Sequence, residues 1–283
     1  MKLFRIVFSC TLIAICITPF IHAQENNKLE KRWTSEGFDT PESILMDPEK
    51  QILFVSNIGG NNPTEKDGNG FISVLDTDGK IINMKWAEGL NAPKGMTISD
   101  GTLYVADIDR IVRINLKTGK IVEKNPVEGS VFLNDMVTLP DGTILISDSK
   151  ASRYYKLSDE GIEVFIEEDS FSFPNGMCVV EDLVITGVGE RIITIKVKEG
   201  LWVEFVPETG GVDGLSKVAD NLYIFSDWSG RIYLLTPTEM ELILDTTEEK
   251  INAADFYFDS KKNMLYVPTF FANTVVAYKL KDN

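Results

Sequence analysis

From residue 31 onward the chain alternates short apolar runs with turn signals, and no stretch holds a helical period for three turns. The runs share a form. Leu53-Phe54-Val55-Ser56-Asn57, Leu103-Tyr104-Val105-Ala106-Asp107 and Leu222-Tyr223-Ile224-Phe225-Ser226-Asp227 are examples, and most precede a turn and a second strand that opens on a basic and an apolar residue, such as Arg110-Ile111 or Arg231-Ile232. Ahead of each run stands another matching stretch, among them Pro41-Glu42-Ser43-Ile44, Pro93-Lys94-Gly95-Met96, Leu133-Asn134-Asp135-Met136 and Pro174-Asn175-Gly176-Met177. Their second positions lie 52, 40, 41, 38 and 41 residues apart, and an insertion over 59–70 accounts for the long first interval. A period near forty with four strands per unit predicts an all-β, six-bladed β-propeller. The sixth unit supplies only three good strands, so the segment around Lys31-Arg32-Trp33-Thr34 is expected to close the ring as its outer strand.

Residues 1–23 depart from this pattern. Lys2 and Arg5 precede an apolar run from Ile6 to Ile17, and Ala23 ends the segment before Gln24. That layout predicts a cleaved secretory signal and a propeller domain over 24–283, with the mature chain periplasmic or extracellular; the run is too short for stable membrane insertion. Cleavage would remove His22, the one histidine, and leave Cys178 as the one cysteine. Histidine-based triads, general bases and imidazole zinc sites are thereby excluded, as is an internal disulfide. Cys178, in the apolar run Met177-Cys178-Val179-Val180, reads as a buried inert thiol. A formal net charge of −15 argues against nucleic acid as a partner; the sequence leaves the oligomeric state open.

In a propeller the first residues of the innermost strands converge at one mouth of the channel. The six aligned positions are Glu42, Lys94, Asn134, Asn175, Asp213 and Ala254, followed by small or acidic neighbours such as Gly95, Asp135 and Gly176. Polar groups there must satisfy one another or a ligand. Carboxylates and amides form a hard oxygen set, suited to calcium above magnesium or another divalent cation; a hydrogen-bonded polar plug is the alternative. Lys94 projects into the same ring, either as a salt-bridge partner of Glu42 or Asp135 or as an oxyanion stabiliser. Asp107, Asp148 and Asp227 either cap turns or face the mouth, where they would hold sugar hydroxyls. Trp228, Phe270 and Phe271 would form an aromatic rim or pack the loops. The 59–70 insertion reads as a solvated excursion, with a lid or a weak calcium loop as alternatives, and Asp76-Thr77-Asp78-Gly79 as a hairpin turn.

At these residues the sequence resembles the gluconolactonase/regucalcin (senescence marker protein) family of six-bladed propellers, whose wider kin include diisopropylfluorophosphatase, paraoxonase and strictosidine synthase. The resemblance runs over 41–280 and rests on Pro41-Glu42, Leu133-Asn134-Asp135 before Pro140-Asp141-Gly142, Pro174-Asn175-Gly176-Met177 and Val212-Asp213-Gly214-Leu215. It implies Glu42, Asn175 and Asp213 as ligands of a single divalent ion, usually calcium, with Asn134 as ligand or substrate contact and Asp213 as candidate base. The implied activity is hydrolysis of a sugar lactone or similar activated ester, with Asp213 or Asp135 taking a proton from water. Two departures stand out: the histidine chemistry of paraoxonase-like kin has no counterpart here, and Lys94 occupies the ring. The rival reading is a non-catalytic propeller that binds a sugar, peptide or protein around a structural metal.

Overall fold

The computed structural model describes residues 28–281; the expected signal at 1–23 lies outside them. The described chain forms six four-stranded antiparallel sheets, each an up-and-down meander from an inner to an outer strand. Blade one is Pro41–Asp47, Ile52–Asn57, Gly70–Asp76 and Ile81–Leu90, and blades two to five repeat it with inner strands Pro93–Ser99, Leu133–Thr138, Pro174–Val180 and Leu215–Ala219. Blade six joins Tyr257–Asp259, Met264–Pro268 and Thr274–Leu280 to the first strand of the described residues, Leu29–Glu36, in the register Leu29↔Leu280 to Glu36↔Thr274. The six-bladed ring is closed by its N-terminal strand.

The core lies between the blades. Second strands are nearly continuous buried runs because both faces are covered, whereas outer strands such as Leu201–Val206 are largely exposed. Each adjacent pair of blades shares its own apolar cluster: Phe54 and Ile72 of blade one pack with Leu103 and Val112 of blade two. The seam between blades six and one is built the same way, from Tyr266 and Val275 against Leu53 and Val55. Trp33 of the closing strand donates its indole N–H to the Thr77 carbonyl of blade one, and its ring fills the space above Gly79. Asp76-Thr77-Asp78-Gly79 is a turn, with Gly79 at φ +86° and Asp76 Oδ1 accepting the Asp78 and Lys80 N–H groups. Cys178 is a free thiol at the seam of blades four and five, and burial pushes it up to about 12.

Candidate functional site

A recurrent irregularity aims the site residues. In blades one to four the pairing of the first two strands slips by one residue, between Pro41 and Ser43, Pro93 and Met96, Leu133 and Met136, and Pro174 and Met177. A β-bulge re-aims the side chains it contains, and Glu42, Lys94, Asn134 and Asn175 stand inside these four. A serine hydroxyl braces the bulge from the second strand in blades one and three, where Ser56 accepts the Ser43 N–H and Ser147 the Asp135 N–H; Ser226 holds the Gly214 N–H at the equivalent place in blade five. Glycine at the next position is steric. A Cβ on Gly95 would come within 2.6 Å of the Asn134 carbonyl oxygen, and one on Gly176 would run into the Asp213 carbonyl oxygen.

Glu42, Lys94, Asn134, Asn175 and Asp213 accordingly line one cavity of about 570 Å³ at the mouth of the channel. Asn175 Nδ2 donates to Asp213 Oδ1 at 2.6 Å, and Asn134 Nδ2 donates to Ser149 Oγ at 2.9 Å. Two carboxylate oxygens, Glu42 Oε2 and Asp213 Oδ2, are buried with no hydrogen-bond partner. Burial, then Asp213, lifts Glu42 well above the usual carboxylate range, with Lys94 opposing. Burial likewise lifts Asp213 to about 7, against the Asn175 hydrogen bond. Orphaned anionic oxygens of this kind cost several kcal/mol unless a proton or cation joins them, so the donor set fits a hard divalent ion. Among the described residues no three His, Cys, Asp or Glu side chains are grouped to hold a metal. Such a cage has two carboxylates and must draw its remaining oxygens from the Asn134 and Asn175 amides or from solvent.

Asp135 stands apart from this cavity. Its Oδ1 accepts the Met136 N–H and its Oδ2 the Met177 N–H, both at 2.7 Å, so it staples blade three to blade four. Asp255 plays a similar part for blade six, accepting from Ser43 Oγ. Lys94 forms neither of the expected salt bridges. Its ammonium donates to the Ala92 and Pro63 carbonyls at 2.9 and 3.1 Å and sits 4.3 Å from the centre of the Phe132 ring. Burial lowers it to about 8, with Glu42 acting in the opposite sense. Carbonyls within reach of the ammonium, Ala92 just before it and Pro63 from the insertion, take the place of the expected carboxylate partners.

The 59–70 insertion is solvent-exposed over most of its length, as expected of a solvated excursion, and is also anchored by the Lys94 contact with Pro63 and by an ion pair of Lys66 with Asp109. Asp107 accepts from the Asn91 and Ala92 N–H groups and from Arg110, and Asp148 from the Val131, Phe132 and Ala151 N–H groups. Both are wholly buried turn caps. Asp227 caps Ser229 yet still lines the cavity. Trp228, Phe270 and Phe271 form an edge-on trio with centroids 4.8 to 5.9 Å apart at the cavity wall. Sequence reading missed Phe132, Phe173 and Glu190, which line it too. The signal was available for the two phenylalanines, which occupy the position just before an inner strand.

No family profile matches the chain, and no curated protein matches it. Solved structures do. A protein provisionally assigned as a gluconolactonase superposes with a TM-score of 0.66 at 16% identity, over 89% of this chain and 92% of that one. Virginiamycin B lyase from Staphylococcus aureus, as a catalytically inactive histidine-to-alanine variant with quinupristin, gives 0.63 at 16% identity over 89% and 99% of the two chains. A streptogramin B lyase gives 0.64 at 14% identity over 89% and 97%. The likeness is one of fold.

Proposed function

We propose that the protein is an exported, metal-dependent hydrolase that opens a lactone or similarly activated ester at the mouth of its channel. The observation that carries this reading is the pair of orphaned buried oxygens, Glu42 Oε2 and Asp213 Oδ2, on residues that line one cavity. Glu42, Asn134, Asn175 and Asp213 would hold a hard divalent cation, calcium by preference, which when bound supplies Lewis-acid polarisation of a carbonyl oxygen. Asn175 holds Asp213 through Oδ1, and Asp213, the carboxylate whose Oδ2 would meet the ion, is also the candidate base for the attacking water. Lys94 has two of its three N–H bonds on carbonyls and the third free to meet a developing oxyanion. Asp135 acts as a positioning residue. The leader-like 1–23 segment supports export, and among the described residues no helix is long and apolar enough to cross a membrane.

The fold neighbours support small-molecule chemistry on this scaffold. Lyase chemistry dependent on histidine is the weaker reading, because the inactive lyase lacks a histidine and the one histidine of this chain is His22. The test is hydrolysis of a panel of lactones and activated esters, with and without chelator. Chelator-sensitive turnover that falls by about 100-fold or more in Asp213→Asn is expected. A bound ion without turnover across the panel would replace the hydrolase by the non-catalytic binding reading.

A further inference from the structure

The walls of the cavity carry information that its floor does not. A polyhydroxylated ring needs several hydrogen-bonding groups around it, yet two of the three carboxylates expected to serve, Asp107 and Asp148, are buried and saturated by backbone N–H donors. Of the three, Asp227 alone lines the cavity, with Glu190 beside it; the rest of the wall above the floor is apolar: Ile58 and Pro63 from blade one, Phe132 and Phe173 ahead of blades three and four, and Trp228, Phe270 and Phe271 from blades five and six.

Two of these aromatics are held at a conformational cost. Phe173 and Phe270 adopt φ of +51° and +47°, a left-handed backbone that costs a side-chain-bearing residue on the order of 1 kcal/mol. Phe270 recovers that cost by packing, being 5% exposed. Phe173 does not: it is half exposed, as are Phe271 and, slightly less, Trp228. Core packing therefore fails to account for three large aromatic surfaces converging on one concavity. Its ionisable lining is Glu42, Glu190, Asp213 and Asp227 against Lys94 alone, within a chain of net charge −15, so an anionic ligand is repelled.

We propose that this cavity takes an uncharged lactone or ester with a flat aromatic or compact branched apolar body, and disfavours sugar lactones. The body stacks against Phe173, Trp228 and Phe271, while the carbonyl end reaches the Glu42–Asp213 floor. The inference rests on the hydrolase reading for the identity of the reacting group, but the ligand class stands on the walls.

The experiment separates the two. The full chain, in buffer with about 1 mM calcium, is titrated calorimetrically with an aryl-fused six-membered lactam, which it cannot turn over as a lactone, and with gluconolactam. Turnover of dihydrocoumarin and glucono-1,5-lactone is followed in parallel, and both measurements are repeated on Trp228→Ala and Phe271→Ala. Both residues are exposed enough for the fold to survive, which a thermal melt checks. The aryl lactam is expected to bind at least about ten-fold tighter than the sugar lactam, and each variant to weaken it by about three- to ten-fold while leaving gluconolactam unchanged. Tighter binding or faster turnover of the sugar compound overturns the proposal, as does aryl binding indifferent to both substitutions. Aryl binding with the expected sensitivity but no turnover supports the ligand class and removes the hydrolase.

Discussion

Glu42 and Asp213 are carboxylates placed where water is scarce, and their behaviour with pH follows from that placement. Burial lifts Asp213 and Asp135 to about 7, against an unfolded value near 3.9. Between those values the native state holds protons that the unfolded chain has lost. The share of stability that these two groups contribute in metal-free buffer is therefore fully present below about pH 4 and is lost as pH rises through 7. Denaturant melts across that range should show the decline, flattened in Asp213→Asn; an unaltered slope in the variant would place the titration elsewhere. Under the proposed function, calcium added above pH 7 should restore the part lost through Asp213. Lys94 acts in the opposite sense, since its charge favours ionised Glu42 but repels a cation. Lys94→Met should bind calcium about three- to thirty-fold more tightly by calorimetry; unchanged affinity would mean that the ammonium is too far to be felt.

At the level of the strand, the decisive element is the one-residue bulge at the start of the inner strands of blades one to four. Gly176→Ala tests it, because the added methyl meets the Asp213 carbonyl oxygen of the next blade. Overpacking there should cost about 1–3 kcal/mol, read as a lower urea midpoint; a neutral result would show the strands free to part. The repeat located Glu42, Lys94, Asn134, Asn175 and Asp213 by alignment alone, since identical spacing places equivalent residues at equivalent points of the ring. It did not reveal where Lys94 and Asp135 point. Those directions depend on cross-blade partners such as the Pro63 carbonyl and the Met177 N–H, which period-two patterning does not encode. The insertion is solvent-exposed over most of its length, as its polar composition implies, but its anchoring by Lys94 and Asp109, far away in the chain, was not legible.

The whole molecule is a ring whose stability is shared among six similar seams, so closure matters as much as any blade. The closing strand was legible because blade six lacked a partner and the Trp33 region had β character. Removing residues 28–36 would expose the edge of Thr274–Leu280 and uncover the seam filled by Trp33 and Tyr266. A broad, early thermal transition with aggregation is expected by circular dichroism; an unshifted, cooperative melt would show closure to be dispensable. The ring also gathers distant residues, and the functional account depends on one such gathering: the oxygens of Glu42 and Asp213 await a cation. Calorimetric titration of calcium into the chelator-stripped full chain at pH 8 measures this directly. The account predicts one ion per chain, with an affinity that falls by about ten-fold or more in Glu42→Gln and in Asp213→Asn. No binding heat and no rise in melting temperature at millimolar calcium, about the weak end for protein cages, would contradict it.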